Sequence, residues 1–230
     1  MTMRFPLLAL GLISITVTAL ALPVSFADLS NADATSGLRA ALEKGADSAV
    51  GKLGVENGFL SNDKVKINLP SSLDKAQSIL RMTGQGPKMD ELIVSMNHAA
   101  EQAVPMAKPL LINAIKSMSV TDAKNILSGG DTAVTDFFKQ KTSAQLSTEF
   151  LPVVKRVTDK SGLATQYNAV MGPAAKYGVV PAQQATVESY VTERAVEGLF
   201  VMIGEEEKAI RKDPIGTGSK IIGKVFGLLK

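Results

Sequence analysis

From Thr186 to Lys212 the chain runs without a proline, and its apolar residues recur at helical spacing. Val187, Tyr190, Val191, Leu199, Phe200, Ile203 and Ile210 fall on one side of a helix of about 27 residues, ~40 Å long at the usual rise. A rod of that length with one apolar stripe must lay the stripe against other helices along most of its course. This feature points to a fold made of helix on helix.

The rest of the chain agrees. Ser30-Asn31-Ala32-Asp33 has capping-box spacing, in which the serine hydroxyl and the acid three residues on satisfy free backbone N–H groups. Behind it Leu38, Ala41, Leu42, Ala49, Val50 and Leu53 keep helical spacing up to Gly54. Ser71-Ser72-Leu73-Asp74 opens a second helix that ends near Gly84-Gln85-Gly86, and Pro87 suits the first turn of a third, running to Val104. Pro105 and Pro109 interrupt and restart the pattern. Ser119-Val120-Thr121-Asp122 is another capping box, closed by Gly129-Gly130, after which Asp131 is placed to cap a helix holding Val134, Phe137 and Phe138. Thr142-Ser143-Ala144-Gln145 repeats the cap spacing before Leu146 and Phe150. A further helix is expected around 163–171, with Gly172-Pro173 as a bend, and Asp213-Pro214 both ends the long helix and opens a last one.

The alternation Val65-Lys66-Ile67-Asn68-Leu69 is the one strand signal, either a short edge ladder or an extended strap across helices. No fixed-period repeat or long linker divides the chain. The expected fold is all-α, a single compact multi-helix domain with one short extended segment near 65–69.

The N-terminus reads as an address. Arg4, an uncharged and largely apolar stretch from Phe5 to Val24, and Ser25-Phe26-Ala27 form the pattern of a cleavable export signal. Residues 1–27 are therefore expected to be removed, leaving a helical domain over 28–230 in a bacterial periplasm. The chain has no cysteine, so disulfides, thiol chemistry and cysteine metal sites are excluded. Trp is absent and aromatics make up 5% of residues, so the core must rest on Leu, Val, Ile, Ala and Met. The formal net charge is +3, and residues 212–230 carry that much alone through Lys212, Lys220, Lys224 and Lys230 against Asp213. No basic patch with interleaved aromatics suits nucleic acid.

Catalytic constellations are missing. His98 is the single histidine, and with no second histidine or cysteine it cannot build the usual zinc set. No Gly-x-Ser-x-Gly elbow supports a serine nucleophile. Glu205-Glu206-Glu207 point about 100° apart on a helix and cannot converge on one ion. They read as a solvated face in which Glu207 pairs with Arg211. Gly216-Thr217-Gly218-Ser219-Lys220 lacks the order of a phosphate loop. Gly129-Gly130-Asp131-Thr132 could cradle an anion at a helix start but reads more simply as a turn between helices. No cofactor and no metal site is expected.

Ser95-Met96-Asn97-His98-Ala99-Ala100-Glu101, Asp122-Ala123 and Gly129-Gly130-Asp131-Thr132-Ala133 resemble a bacterial exported family known as domain of unknown function 4197. Ile67-Asn68-Leu69-Pro70, Tyr190-Val191-Thr192, Gly198-Leu199-Phe200, Glu205-Glu206-Glu207 and Asp213-Pro214 extend the resemblance over nearly all of the chain after the leader. It implies a mainly helical exported protein without an established activity. His98 departs from the family pattern, which implies arginine there, and this argues further against a catalytic role.

The last segment is cationic and amphipathic. Over 214–230, read as one helix, Ile215, Ile221, Ile222, Val225, Phe226, Leu228 and Leu229 share an arc of roughly 160°, with Lys220, Lys224 and Lys230 opposite. Docking on the protein's own core explains this pattern. The functional alternative is contact with a membrane surface or partner through Ile221, Ile222, Val225, Phe226, Leu229, Lys220 and Lys224. A second, polar candidate site is Asn97, Glu101 and Asp131. The leading expectation is a non-enzymatic periplasmic module that binds an apolar or lipid ligand or the membrane surface. One rival is an envelope scaffold that binds a protein partner. The other is a carboxylate enzyme drawing on Glu91, Glu101, Asp122, Asp131 or Asp136. Convergent buried acids would favour the enzyme, and an apolar groove would favour binding.

Overall fold

A computed structural model describes residues 31–160 and 162–227; the expected leader 1–27, the Ser30 cap and Leu229 lie outside the described residues. Nine α-helices occur among them: α1 (Asn31–Leu53), α2 (Asp74–Met82), α3 (Gly86–Ala103), α4 (Ala107–Lys116), α5 (Val120–Ser128), α6 (Ala133–Thr158), α7 (Gly162–Lys176), α8 (Val187–Lys212) and α9 (Lys220–Gly227). The all-α expectation holds, and no strand occurs among the described residues. The long helix is α8, opened by Thr186, whose hydroxyl accepts from the Ser189 N–H. Its broadest partner is α6; α3 packs on both, and α1 packs on α8, α4 and α9. Phe138, Phe150, Leu146, Met96, Leu111 and Leu199 are fully buried where these helices meet.

Most helix ends fall where the sequence placed them. The Ser119 box is complete: the Ser119 hydroxyl accepts from the Asp122 N–H at 3.0 Å, and Asp122 accepts from the Ser119 N–H at 3.0 Å. Three expectations are corrected. Thr142 and Ser143 do not cap a helix; they lie inside α6 and donate their hydroxyls back to the Phe138 and Lys139 carbonyls. The same hydroxyl chemistry serves a cap or an i−4 back-bond, and without glycine or proline beside it the helix continues. Gly172-Pro173 lie inside α7, since a single proline removes one backbone bond without forbidding the turn around it. Asp213 does not open the last helix: it caps the end of α8, and its carboxylate accepts from the Gly216 N–H. A turn through Gly218, at φ +73°, delays α9 to Lys220.

Residues 66–70 form the strap, and Val65 closes the turn before it, its N–H donating to the Asn62 carbonyl. The strap's partner is a side chain. Asn97, fully buried on α3, accepts from the Ile67 N–H at 2.8 Å and donates to the Ile67 carbonyl at 2.8 Å. The amide thus does for one residue what a neighbouring strand would do, and Val65, Ile67 and Leu69 are left buried. One turn on, buried Glu101 accepts from the Asn57, Phe59 and Leu60 N–H groups at 3.0–3.1 Å. Phe59 is thereby held against Gly198 of α8, where an added Cβ would stand 2.7 Å from the Phe59 ring.

Candidate functional site: an apolar groove between α2, α3 and α7

The strap ends at Leu69 and Pro70, and the chain turns through a 3-10 turn at Ser71–Leu73 into α2. This helix packs mainly on that turn and on α3. Ile79, Leu80 and Met82 remain 61%, 40% and 87% exposed, so several of its apolar side chains are only partly covered. Gly84, at φ +80°, provides the left-handed turn back into α3, and the Arg81–Asp90 ion pair at 2.6 Å ties the two helices together. Facing α2 from α7 are Tyr167 and Met171, both buried, and Val170, 61% exposed.

Between them runs a groove of about 300 Å3. Leu73 and Leu80 form one wall and Val170 and Met171 the other, over a floor of Leu69, Met89 and Leu92. Gln77 and Gln166 complete the described lining with Tyr167, and no charged side chain is among the described residues in it. The Tyr167 hydroxyl donates to the Gln184 carbonyl at 3.2 Å, so the ring faces the groove while the polar end is already partnered. Burial pushes the Tyr167 phenol well above its usual range, and it stays neutral. Sequence reasoning missed this site, because its walls, Leu73 with Leu80 and Val170 with Met171, are at least 90 positions apart in the chain and each reads as ordinary helix core.

The polar candidates resolve into structural roles. Asn97 and Glu101 share one face of α3 and spend their hydrogen bonds on the strap and the 57–60 turn. Asp131 is exposed and shares no hydrogen bond with them. His98 lies 3.9 Å from Glu101 at the edge of an open hollow with Glu56 and Gln102. Of the acids proposed for an enzyme, Glu91, Asp131 and Asp136 are exposed, Asp122 is half-buried and bonded to Ser119, and Glu101 alone is buried. Among the described residues, no cluster of histidine, aspartate and glutamate could hold a metal ion.

The acid triplet also needs correction. Glu206 pairs with Lys52 at 2.5 Å and Glu205 pairs with Lys64, but Glu207 is 4% exposed rather than solvated. Its carboxylate accepts from the Val134 and Thr135 N–H groups, at 3.2 and 3.3 Å, and so caps α6 from outside, where Asp131 was expected to act. The expected Arg211 partner is present at 2.9 Å and also donates to the Ile126 carbonyl of α5. The anion suited to the Gly129–Thr132 turn is thus the protein's own.

The C-terminal helix docks on the core. Ile222, Val225 and Phe226 are at most 3% exposed, and Ile221 is half-buried, all within a helix that covers only 220–227. These residues are therefore not a free membrane face; their apolar area is already removed from water against α1. Lys220 is exposed, and Ile215, outside the helix, is 80% exposed. The Arg211 guanidinium lies 5.6 Å from the Phe226 ring centre and links α9 to the Glu207 cap. Gly37 makes the close approach possible, since a Cβ there would stand 2.3 Å from the Val225 side chain and 3.0 Å from the Ile221 carbonyl. Gly37→Leu should therefore release α9. Tryptic cleavage at Lys220 should become about tenfold faster, the factor given by losing ~1.4 kcal/mol of docking. An unchanged cleavage rate would show that α9 is not held there.

The pattern of a family described as a protein of unknown function, DUF4197, matches residues 28–227. The chain belongs to the DUF4197 family. No curated protein and no solved structure matches it. Many positions that carry the DUF4197 resemblance have the structural tasks just described: Asn97 and Glu101 hold the strap and turn, Gly198 admits Phe59, and Glu207 caps α6.

Proposed function

We propose that this protein is a non-catalytic module that binds an apolar ligand, such as a single lipid chain, in the groove between α2, α3 and α7. The observation that carries the reading is a cavity of about 300 Å3 whose lining is apolar except for two glutamines and a tyrosine ring. That volume is at the lower end of the range of about 300–1,000 Å3 for small-molecule sites and suits one chain rather than two. Leu80 and Val170, exposed in its two walls, give a chain further apolar surface to lie on. The acids that an enzyme would need are dispersed or already bonded. Residues 1–27 support a periplasmic location, and the DUF4197 match starts at residue 28, just beyond the expected cleavage site.

Titration of the purified protein with the neutral fluorescent probe N-phenyl-1-naphthylamine tests the reading. Leu80→Arg places a guanidinium at the groove wall, on a side chain exposed enough for the fold to tolerate it. Leaving that charge in an apolar site costs a few kcal/mol, so probe affinity should fall at least about tenfold with helicity and melting unchanged. Equal binding by both proteins would sink the groove as the site.

A further inference from the structure

The polar inventory of the groove narrows the ligand class, an inference that rests on the binding role proposed above. Among the described residues, its lining contains no lysine, arginine, histidine, aspartate or glutamate. The described charges of α2 are used elsewhere: Arg81 pairs with Asp90, and Asp74 accepts from the Gln77 amide at 3.4 Å. Tyr167 offers no donor either, because its hydroxyl is bonded to Gln184. What remains for a ligand head is amide chemistry: Gln77 on α2, half-buried, and Gln166 on α7, exposed at the opposite lip. A glutamine side chain supplies both a carbonyl acceptor and an NH2 donor, which matches an ester, amide or alcohol. Among the described lining residues a carboxylate or phosphate would find one exposed amide donor and no cation, with Asp74 bonded to Gln77, and would lose hydration for little return.

We infer that the groove selects an uncharged single-chain amphiphile, an apolar chain carrying an ester, amide or hydroxyl head placed between Gln77 and Gln166, over the same chain with an anionic head.

Displacement of N-phenyl-1-naphthylamine from the purified protein by decanoyl glycerol, decanoate and decyltrimethylammonium tests this at one chain length. At a pH of about 8 decanoate is ionised. Decanoyl glycerol should displace the probe at concentrations at least about tenfold lower than decanoate, the factor that an unpaired charge imposes. An ester also partitions better than an ion into any apolar phase, so the deciding arm is Gln166→Lys. That variant supplies a cation on an exposed position at the head-binding lip and should lower the decanoate concentration needed, relative to the ester's, by about tenfold. Decanoate or decyltrimethylammonium matching the ester on the wild type would overturn the inference, as would a Gln166→Lys protein with unchanged decanoate displacement. In either case probe binding that is still lost in Leu80→Arg would leave the groove standing as the site. A wild-type protein that binds no probe would overturn both.

Discussion

Glu207→Ala is expected to lower the stability of the folded protein by about 4 kcal/mol, which for a domain of this size is a fall of roughly 10 °C in Tm. The carboxylate is buried and joins three elements: the first turn of α6 through Val134 and Thr135, α8 through Arg211, and α5 through the Arg211 bond to Ile126. Removing it leaves two helix-terminal N–H groups unpaired and a largely buried guanidinium without its anion, and each is more costly than the pair was favourable. Arg211 also stacks on Phe226, so α9 should loosen in the same variant and the Lys220 site should become open to trypsin. A pH series adds a sign. Burial pushes the Glu207 carboxyl above its ordinary 4.5, with the Val134 N–H and Arg211 pulling it back. The folded state then holds this proton more tightly than the unfolded chain does. The linked stability is fully present below a pH of about 4.5 and is lost as pH rises through the folded value. The advantage of wild type over Glu207→Gln, read from urea midpoints, should therefore shrink as pH rises through that window. A difference that grows with pH would show that the carboxylate is stabilised as the anion.

Helix existence was legible because it rests on periodicity and short-range chemistry. The apolar stripe of α8, the Ser119 box and the glycine that ends α1 each act over one or two turns, and each appears as read. Misreadings arose where one local pattern has two physical outcomes. Thr142 and Ser143 have cap spacing but back-bond within α6, and Asp213-Pro214 ends one helix without starting the next. The tail was legible as amphipathic, but amphipathicity does not say which surface covers it; Gly37, far away in the chain, decides that in favour of α1. The groove was not legible at all. It exists because α2 is held only partly against α3 while α7 stands opposite, and neither fact is encoded in the pattern of either helix. Family membership does not close this gap: the residues that carry the resemblance include those that tie the strap, the 57–60 turn and the α6 cap, whereas Leu80, Gln166 and Val170 lie outside the quoted motifs.

Asn97→Ala should cost about as much as the Glu207 change, and its effect should reach the groove. The Asn97 side chain makes three short hydrogen bonds, two to Ile67 and one to the Ile93 carbonyl, all at 2.7–2.8 Å. Truncation leaves the buried Ile67 N–H and carbonyl without partners, at about 1–3 kcal/mol each, and opens a cavity beside Met96 and Ala100. A total near 4 kcal/mol follows. The strap is also tied by the Tyr190 hydroxyl, which donates to the Asn68 carbonyl at 2.9 Å, so it should loosen locally before the helices separate. Leu69 is the next residue along and forms part of the groove floor. Amide exchange at Ile67 should accelerate by at least about a hundredfold, and probe affinity in the groove should fall with it. Lys66→Ala, an exposed change one residue away, should alter neither. If Asn97→Ala loosens Ile67 but leaves probe affinity intact, the strap is a fold element alone. If Ile67 exchange does not change, Asn97 is not what replaces the missing strand.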